Sequence, residues 1–251
     1  MRSQPQLRHT RTRLRSRYAL FPLEGYPPSV LPQWTGTEAR ILTAPAMGAG
    51  FVQYLLNVQP GGGVRHQADQ RIESFFYVLE GELEIQTGGG AHGLGPGGFM
   101  LLSPADDFSV RAEVSSTILL LRKRYEEAPG IPLFASFSGE EKKVPAEIWM
   151  DIEGARLQTL IPDDPRYDLA MNIFTFSPGY SLPVVETHVM EHGLYFLEGK
   201  GLYYLDEEWM EVEADDFIWM GPFVPQSFYA TGPTPAKYLY YKNVNRDIPL
   251  L

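Results

Sequence analysis

Glu186, His188 and His192 fall within one short stretch, Glu186-Thr-His188-Val-Met-Glu-His192, and Gly199 closes it seven residues later. Two imidazoles and a carboxylate so close together are the donor types that hold a single divalent ion. The one residue between Glu186 and His188 puts both side chains on the same face of a strand. The chain contains no cysteine, so disulfides and thiolate ligands are excluded and any metal must be bound through nitrogen and oxygen. Alone, a His-x3-His pair reads more readily as two histidines in a polar turn or a hydrogen-bonded core. The surrounding frame is what turns the reading toward metal chemistry.

That frame occurs twice. Pro60-Gly61, Leu79-Glu80-Gly81 and Gly97 recur as Pro178-Gly179, Leu197-Glu198-Gly199 and Asp215, each 118 positions on (179 − 61, 199 − 81, 215 − 97). A constant offset over three landmarks predicts two copies of one domain. At the positions of Glu186, His188 and His192 the first copy has Ala68, Gln70 and Ser74, which make no competent ligand set. Chemistry is therefore expected in the second copy, with the first as support. Glu191 has an acidic counterpart in Glu73, in the copy without ligands, and so reads as a shared structural carboxylate.

The elements that must position these residues are strands. Glycine and proline number 24 and 21 of 251 residues, and they punctuate short aromatic and β-branched runs such as Phe51 to Val58, Phe75 to Leu79 and Tyr238 to Tyr241. Glu82 to Gln86 and Gly201 to Leu205 alternate, whereas Phe99 to Leu102 and Phe217 to Met220 are continuous apolar runs suited to strands buried on both faces. The expected class is all-β, two tandem barrels with few short helices. The expected divisions are an arm over 1–45 draped on the first barrel, the first barrel over 46–126, a connection over 127–160, and the second barrel over 161–251. Within the connection, Ala146 to Trp149 is read as a short helix.

Formal charge is −10, with a pI near 5.0, which excludes a nucleic-acid partner and an anionic lipid surface, since both need a basic face. No apolar run approaches the roughly 20 residues of a membrane helix, and no signal-peptide core stands near the start. The expected location is cytoplasmic. Arg2, Arg8, Arg11, Arg13, Arg15 and Arg17 precede the first acid, Glu24. Organelle transit peptides share that composition, but in so acidic a chain the preferred reading is an arm whose arginines meet acidic surface on this or a neighbouring subunit.

The order Gly179, Glu186, His188, His192, Gly199, followed by Asp215 to Gln226, resembles the paired motifs of cupins, small jelly-roll barrels. In cupins the first motif reads His-x-His-x3-Glu and the second supplies a histidine. Here the ligand types are reordered to Glu186-x-His188-x3-His192, and Gln226 stands in the distal place. Glu186 to Gly193 together with Tyr238 to Arg246 resembles the bicupin (S)-ureidoglycine aminohydrolase family of purine breakdown, and the likeness covers most of the chain. It implies manganese-dependent hydrolysis of (S)-ureidoglycine to (S)-ureidoglycolate and ammonia. It also implies metal ligands Glu186, His188, His192 and Gln226, and substrate contacts from Tyr203, Tyr238, Lys242 and Gln226.

Tyr238 and Lys242 share a parity on the last strand, and a lysine aimed into a barrel is costly unless it meets a carboxylate or serves catalysis. Lys242, Tyr238 and Glu186 are the catalytic candidates, with water held by the metal as a further proton carrier. Two other readings compete: an iron-dependent cupin dioxygenase, for which Gln226 is an unusual ligand, and a non-enzymatic binding or storage bicupin. Asn245 and Arg246 are read as ties for the last strand or subunit contacts. Open sheet edges favour a homo-oligomer acting on a small molecule.

Overall fold

A computed structural model gives the structure of this protein and describes residues 11–67, 71–243 and 246. Ala68, Gln70, Asn245, Arg2 and Arg8 lie outside the described residues. Strands dominate, as the dense turn signals require, and among the described residues the only helices are three single 3-10 turns. Two barrels result, one on each copy of the repeat. In the first, the strands Ile72–Glu80 and Phe51–Gln67 flank Ser116–Arg124. In the second, His192–Glu198 and Leu169–Phe176 flank Ala236–Asn243. A three-stranded sheet of Glu208–Glu213, Lys200–Leu205 and Gln226–Ala230 supplies the facing layer of the second barrel.

The repeated Leu-Glu-Gly landmark has a steric origin. Gly81 and Gly199 end equivalent strands with φ of 81° and 74°, a conformation costly for other residues. A Cβ at Gly199 would also lie against the Pro235 carbonyl, and one at Gly81 against that of Ser115. The landmark thus marks one tight turn, built twice.

Each barrel lends the other an edge strand. Tyr18–Phe21, which precedes the first barrel, pairs antiparallel with Phe217–Met220 of the second. Phe137–Glu140, which precedes the second barrel, pairs with Gly98–Leu102 of the first. These receiving strands are the two continuous apolar runs, and they are buried along their whole length because neighbours cover both edges and both faces.

The expected arm over 1–45 is corrected accordingly. Residues 13–21 belong to the sheet of the second barrel, and only Trp34–Thr43 pairs with the first, through Phe51–Gln67. The expected helix at 146–149 is a strand, Glu147–Trp149, paired with Ile152–Thr159. Four residues cannot sustain an isolated helix, and Trp149 gains more by packing its ring edge-on against Phe174, centroids 5.2 Å apart.

The two barrels share one core, in which Phe51, Leu119 and Leu121 of the first meet Met171, Ile173, Leu239 and Tyr241 of the second. Each such side chain contributes roughly 1.5–3 kcal/mol by leaving water. A buried ionic group crosses the same seam: Lys123 Nζ lies 2.5 Å from Asp168 Oδ2 and 3.8 Å from Glu73 Oε1. Arg246 closes the seam at its rim, donating to the Pro165 carbonyl at 2.6 Å with its guanidinium 5.2 Å over the Tyr125 ring. Of the two readings given for it, a tie within the chain or a subunit contact, these bonds are of the first kind.

The described arginines of the start meet acid on this same chain. Arg11 bonds Asp216, which is 1% exposed, and Glu213 at 2.9 Å, while Arg15 reaches Glu208 at 3.1 Å. Arg11→Ala would leave the buried Asp216 carboxylate, among the described residues, held only by the Glu213 N–H, at an expected cost of about 1–3 kcal/mol. Arg15→Ala, in an exposed pair, should cost less than about 1 kcal/mol. Urea midpoints at constant m-value measure both, and equal costs would refute this account of the clasp.

Candidate metal centre and substrate cavity

Turn and register bring the repeat's reordered residues together. The segment before His192 runs beside Gln226–Ala230, with Leu182 N bonded to the Phe228 carbonyl, and Glu186 and Gln226 exchange both backbone hydrogen bonds, at 2.8 and 2.9 Å. Directly opposed residues of an antiparallel pair point the same way, so Glu186 and Gln226 share a face. His192 opens the next strand and is paired across to Lys242.

All four, with His188, line a cavity of about 320 Å³ inside the second barrel, together with Tyr203, Tyr238 and Tyr240. That is the size of a site for a small ligand. At the offset positions of Gln226, Tyr203 and Tyr238 the first barrel has Phe108, Ile85 and Leu120, all buried in its own apolar core. Where one barrel is hollow, its twin is filled.

His192 is 5% exposed, and its Nδ1 donates to the Tyr241 carbonyl at 2.9 Å. Burial, and then the neighbouring His188, push its pKa down to about 3, so the ring is neutral and Nε2 is a bare lone pair. That atom faces His188 Nε2 at 3.1 Å, and His188 is likewise shifted down by burial. The Gln226 amide nitrogen lies 3.0 Å from the same His188 Nε2, while Gln226 Oε1 accepts from the Tyr203 hydroxyl at 2.8 Å.

As placed, the amide N–H and the His192 lone pair make opposite demands on His188 Nε2. Turning the amide, so that its oxygen faces the imidazoles and its NH2 faces the Tyr203 oxygen, removes the conflict. Two imidazole nitrogens and an amide oxygen then stand together, a donor set that fits a divalent cation.

Glu186 is the remaining member of the expected four-donor set. It lines the cavity, but among the described residues no hydrogen bond joins its carboxylate to either imidazole, and no three His, Cys, Asp or Glu side chains are gathered closely enough to hold an ion. Burial raises its pKa, against the pull of Lys242. His188 thus lies within hydrogen-bonding distance of His192 and Gln226, and Glu186 lines the same cavity opposite Gln226 in the ladder.

Glu191 is structural, as read: its carboxylate accepts from the Gly50 N–H at 3.0 Å and from Trp219 Nε1 at 3.2 Å. Tyr203 and Tyr238 are 1% and 2% exposed, and burial raises both phenols. Tyr203 spends its hydroxyl on Gln226, whereas Tyr238 and Lys242 face the cavity. Among the cavity residues missed in the sequence are Asn172 and Tyr240, which are bonded to one another at 3.1 Å. Tyr240 was findable, since it lies between Tyr238 and Lys242 at their parity.

A cupin domain model matches residues 172–241, the heart of this barrel. The (S)-ureidoglycine aminohydrolase of Escherichia coli (strain K12) is 32% identical over 237 residues, covering 93% of this chain and 90% of that protein. The Arabidopsis thaliana (S)-ureidoglycine aminohydrolase is 34% identical over 245 residues, covering 95% of this chain and 79% of that one. The chain belongs to the (S)-ureidoglycine aminohydrolase family. A solved structure from Pseudomonas aeruginosa, of a protein named for induction by glyoxylate, superposes with a TM-score of 0.90 at 35% identity, covering 99% of this chain and 96% of that one. The two-barrel cupin architecture of this family member is therefore common to its full length.

Equilibrium dialysis against manganese should find one ion per chain. His188→Ala and His192→Ala should each weaken it by at least about tenfold, and Tyr203→Phe, which frees the amide, by about tenfold. Ser74→Ala, at the offset position of His192, should leave it unchanged. Binding retained in both histidine variants would place the metal elsewhere.

Proposed function

We propose that this protein hydrolyses (S)-ureidoglycine to (S)-ureidoglycolate and ammonia, with a manganese ion at His188, His192, Gln226 and Glu186. The observation that carries the proposal is the close approach of His188 to His192 and Gln226 in a small cavity that also holds a lysine, in a chain of this family. The same reading carries a cytoplasmic, homo-oligomeric enzyme.

In the reaction the bond from carbon to the amine breaks and a bond from the same carbon to a water oxygen forms; one proton leaves the water and one joins the amine. A bound divalent cation supplies Lewis acidity and a fixed template for the reacting carbon. Lys242, among the described residues, has no salt bridge, and it stands across from His192. It binds the substrate carboxylate, orienting the molecule as a charge-assisted hydrogen bond does. Glu186 and Tyr238 are the cavity groups that hold or pass the proton between water and the departing amine. Apolar walls from Leu194, Phe174 and Leu182 restrict the water that reaches this carbon.

Ammonia release from freshly generated ureidoglycine, in the presence of manganese, is the decisive assay. Gln226→Ala should abolish it, and Lys242→Met should lower kcat/KM by about 10- to 100-fold, the worth of one hydrogen bond to a charged group. No ammonia from the unaltered, manganese-loaded protein sinks the proposal. Unchanged kcat/KM in Lys242→Met removes the lysine from it.

A further inference from the structure

Asn172 is 6% exposed and lies in an otherwise apolar run, Met171-Asn172-Ile173-Phe174. Its Nδ2 donates to the Tyr240 hydroxyl at 3.1 Å, directly across the ladder, while its Oδ1 is buried without a hydrogen-bond partner among the described residues. Burying an amide oxygen unpaired is costly, and nothing in the packing of this strand calls for it. The first barrel, which needs no ligand, has Tyr54 at the offset position.

Both Asn172 and Tyr240 line the cavity, and the Tyr240 ring meets His192 edge-on with centroids 5.5 Å apart. Having accepted a hydrogen from Asn172, the Tyr240 hydroxyl still has its own to give. Side by side stand an unpartnered carbonyl oxygen, covered in this structure, and a hydroxyl with a hydrogen to give. That is the complement of an uncharged O=C–N–H edge.

We propose that Asn172 and Tyr240 form a subsite for a carbamoyl group: Asn172 Oδ1 accepts from its N–H, and the Tyr240 hydroxyl donates to its carbonyl oxygen. The assignment rests on the aminohydrolase reading for the rest of the ligand, whose carboxylate goes to Lys242. Tyr240 and Lys242 point the same way from one strand, a single two-residue step of about 6.7 Å apart. A ligand with carboxylate and carbamoyl ends separated by one carbon and one nitrogen fits that step.

The test uses two probes that differ by one group, N-carbamoylglycine and N-acetylglycine, in which a methyl replaces the terminal NH2. Calorimetry on the manganese-loaded protein should show the carbamoyl compound binding at least about tenfold more tightly, the ratio one buried hydrogen bond gives. In Asn172→Leu the ratio should fall to within about twofold, through loss of the carbamoyl compound alone. In Tyr240→Phe both probes should weaken by about five- to tenfold, because the carbonyl is common to both. If leucine lowers the Tm, Asn172→Ala takes its place.

No preference in the unaltered protein, or equal weakening of both probes by the Asn172 change, overturns the subsite. Ammonia release is measured in parallel. Turnover without the preference defeats the subsite alone, and the preference without turnover defeats the aminohydrolase reading alone.

Discussion

The strand Ala236–Asn243 is the constraint on which the rest depends, because it serves two environments at once. It is paired on both sides, with Leu169–Phe176 and with His192–Glu198. Its even-numbered side chains Tyr238, Tyr240 and Lys242 face the cavity, and its odd-numbered Leu239 and Tyr241 enter the core between barrels. Tyr241 joins the two: its ring packs on Phe51 of the first barrel, centroids 4.3 Å apart, and its carbonyl takes the His192 Nδ1 hydrogen. The tautomer of His192, and so its free lone pair, is fixed by a residue whose side chain is held by the other barrel.

The barrel without ligands therefore has a mechanical task. Filled by Phe108, Ile85 and Leu120, it is a close-packed wall, and such interiors yield little. Gly193 shows how tightly the wall is fitted, since a Cβ there would run into the Phe51 ring. The seam also preserves the duplication in altered form. Glu191 accepts from the Gly50 N–H, whereas Glu73, its offset counterpart, faces Asp168 at the position offset from Gly50, and Lys123 lies between the two acids. Burial and the neighbouring Asp168 hold Glu73 well above the usual carboxylate range. An ion group of that kind does little for net stability unless fully paired, but it disfavours any other docking of the two barrels.

Much of this was legible in the sequence. The offset of 118 gave the two barrels, and parity placed Tyr238 and Lys242 together in the cavity. The substitutions Ala68, Gln70 and Ser74 pointed to the barrel in which His188 lies within 3.1 Å of His192 and Gln226. What stayed hidden was what periodicity does not encode. The pairing of Tyr18–Phe21 with Phe217–Met220 joins segments about 200 residues apart through generic apolar side chains, and nothing local distinguishes a lent strand from a loop. Asn172 was overlooked because one polar residue in a buried run reads as tolerance, and its partner lies 68 residues away. Glu186 was placed in the right cavity by strand parity, which sets the face a side chain occupies but not the torsions that aim its carboxylate.

The charges of the cavity bear on handedness. On the proposed reading the substrate carries a carboxylate, an amine and a carbamoyl group on one carbon, and the wall offers three unlike partners: Lys242, Glu186, and the Asn172–Tyr240 pair. Each partner discriminates by chemistry. An ammonium rejects a protonated amine, a carboxylate rejects a carboxylate, and an uncharged donor–acceptor pair leaves either ion poorly solvated. Inverting the carbon while keeping any two contacts takes the third group away from its partner, and an unmatched polar group in such a cavity costs a few kcal/mol. Selectivity for one enantiomer then follows from contacts placed along Ala236–Asn243, on its neighbour Leu169–Phe176 and on the bridged segment at Glu186, and the tight seam behind them keeps them from shifting to accommodate the other.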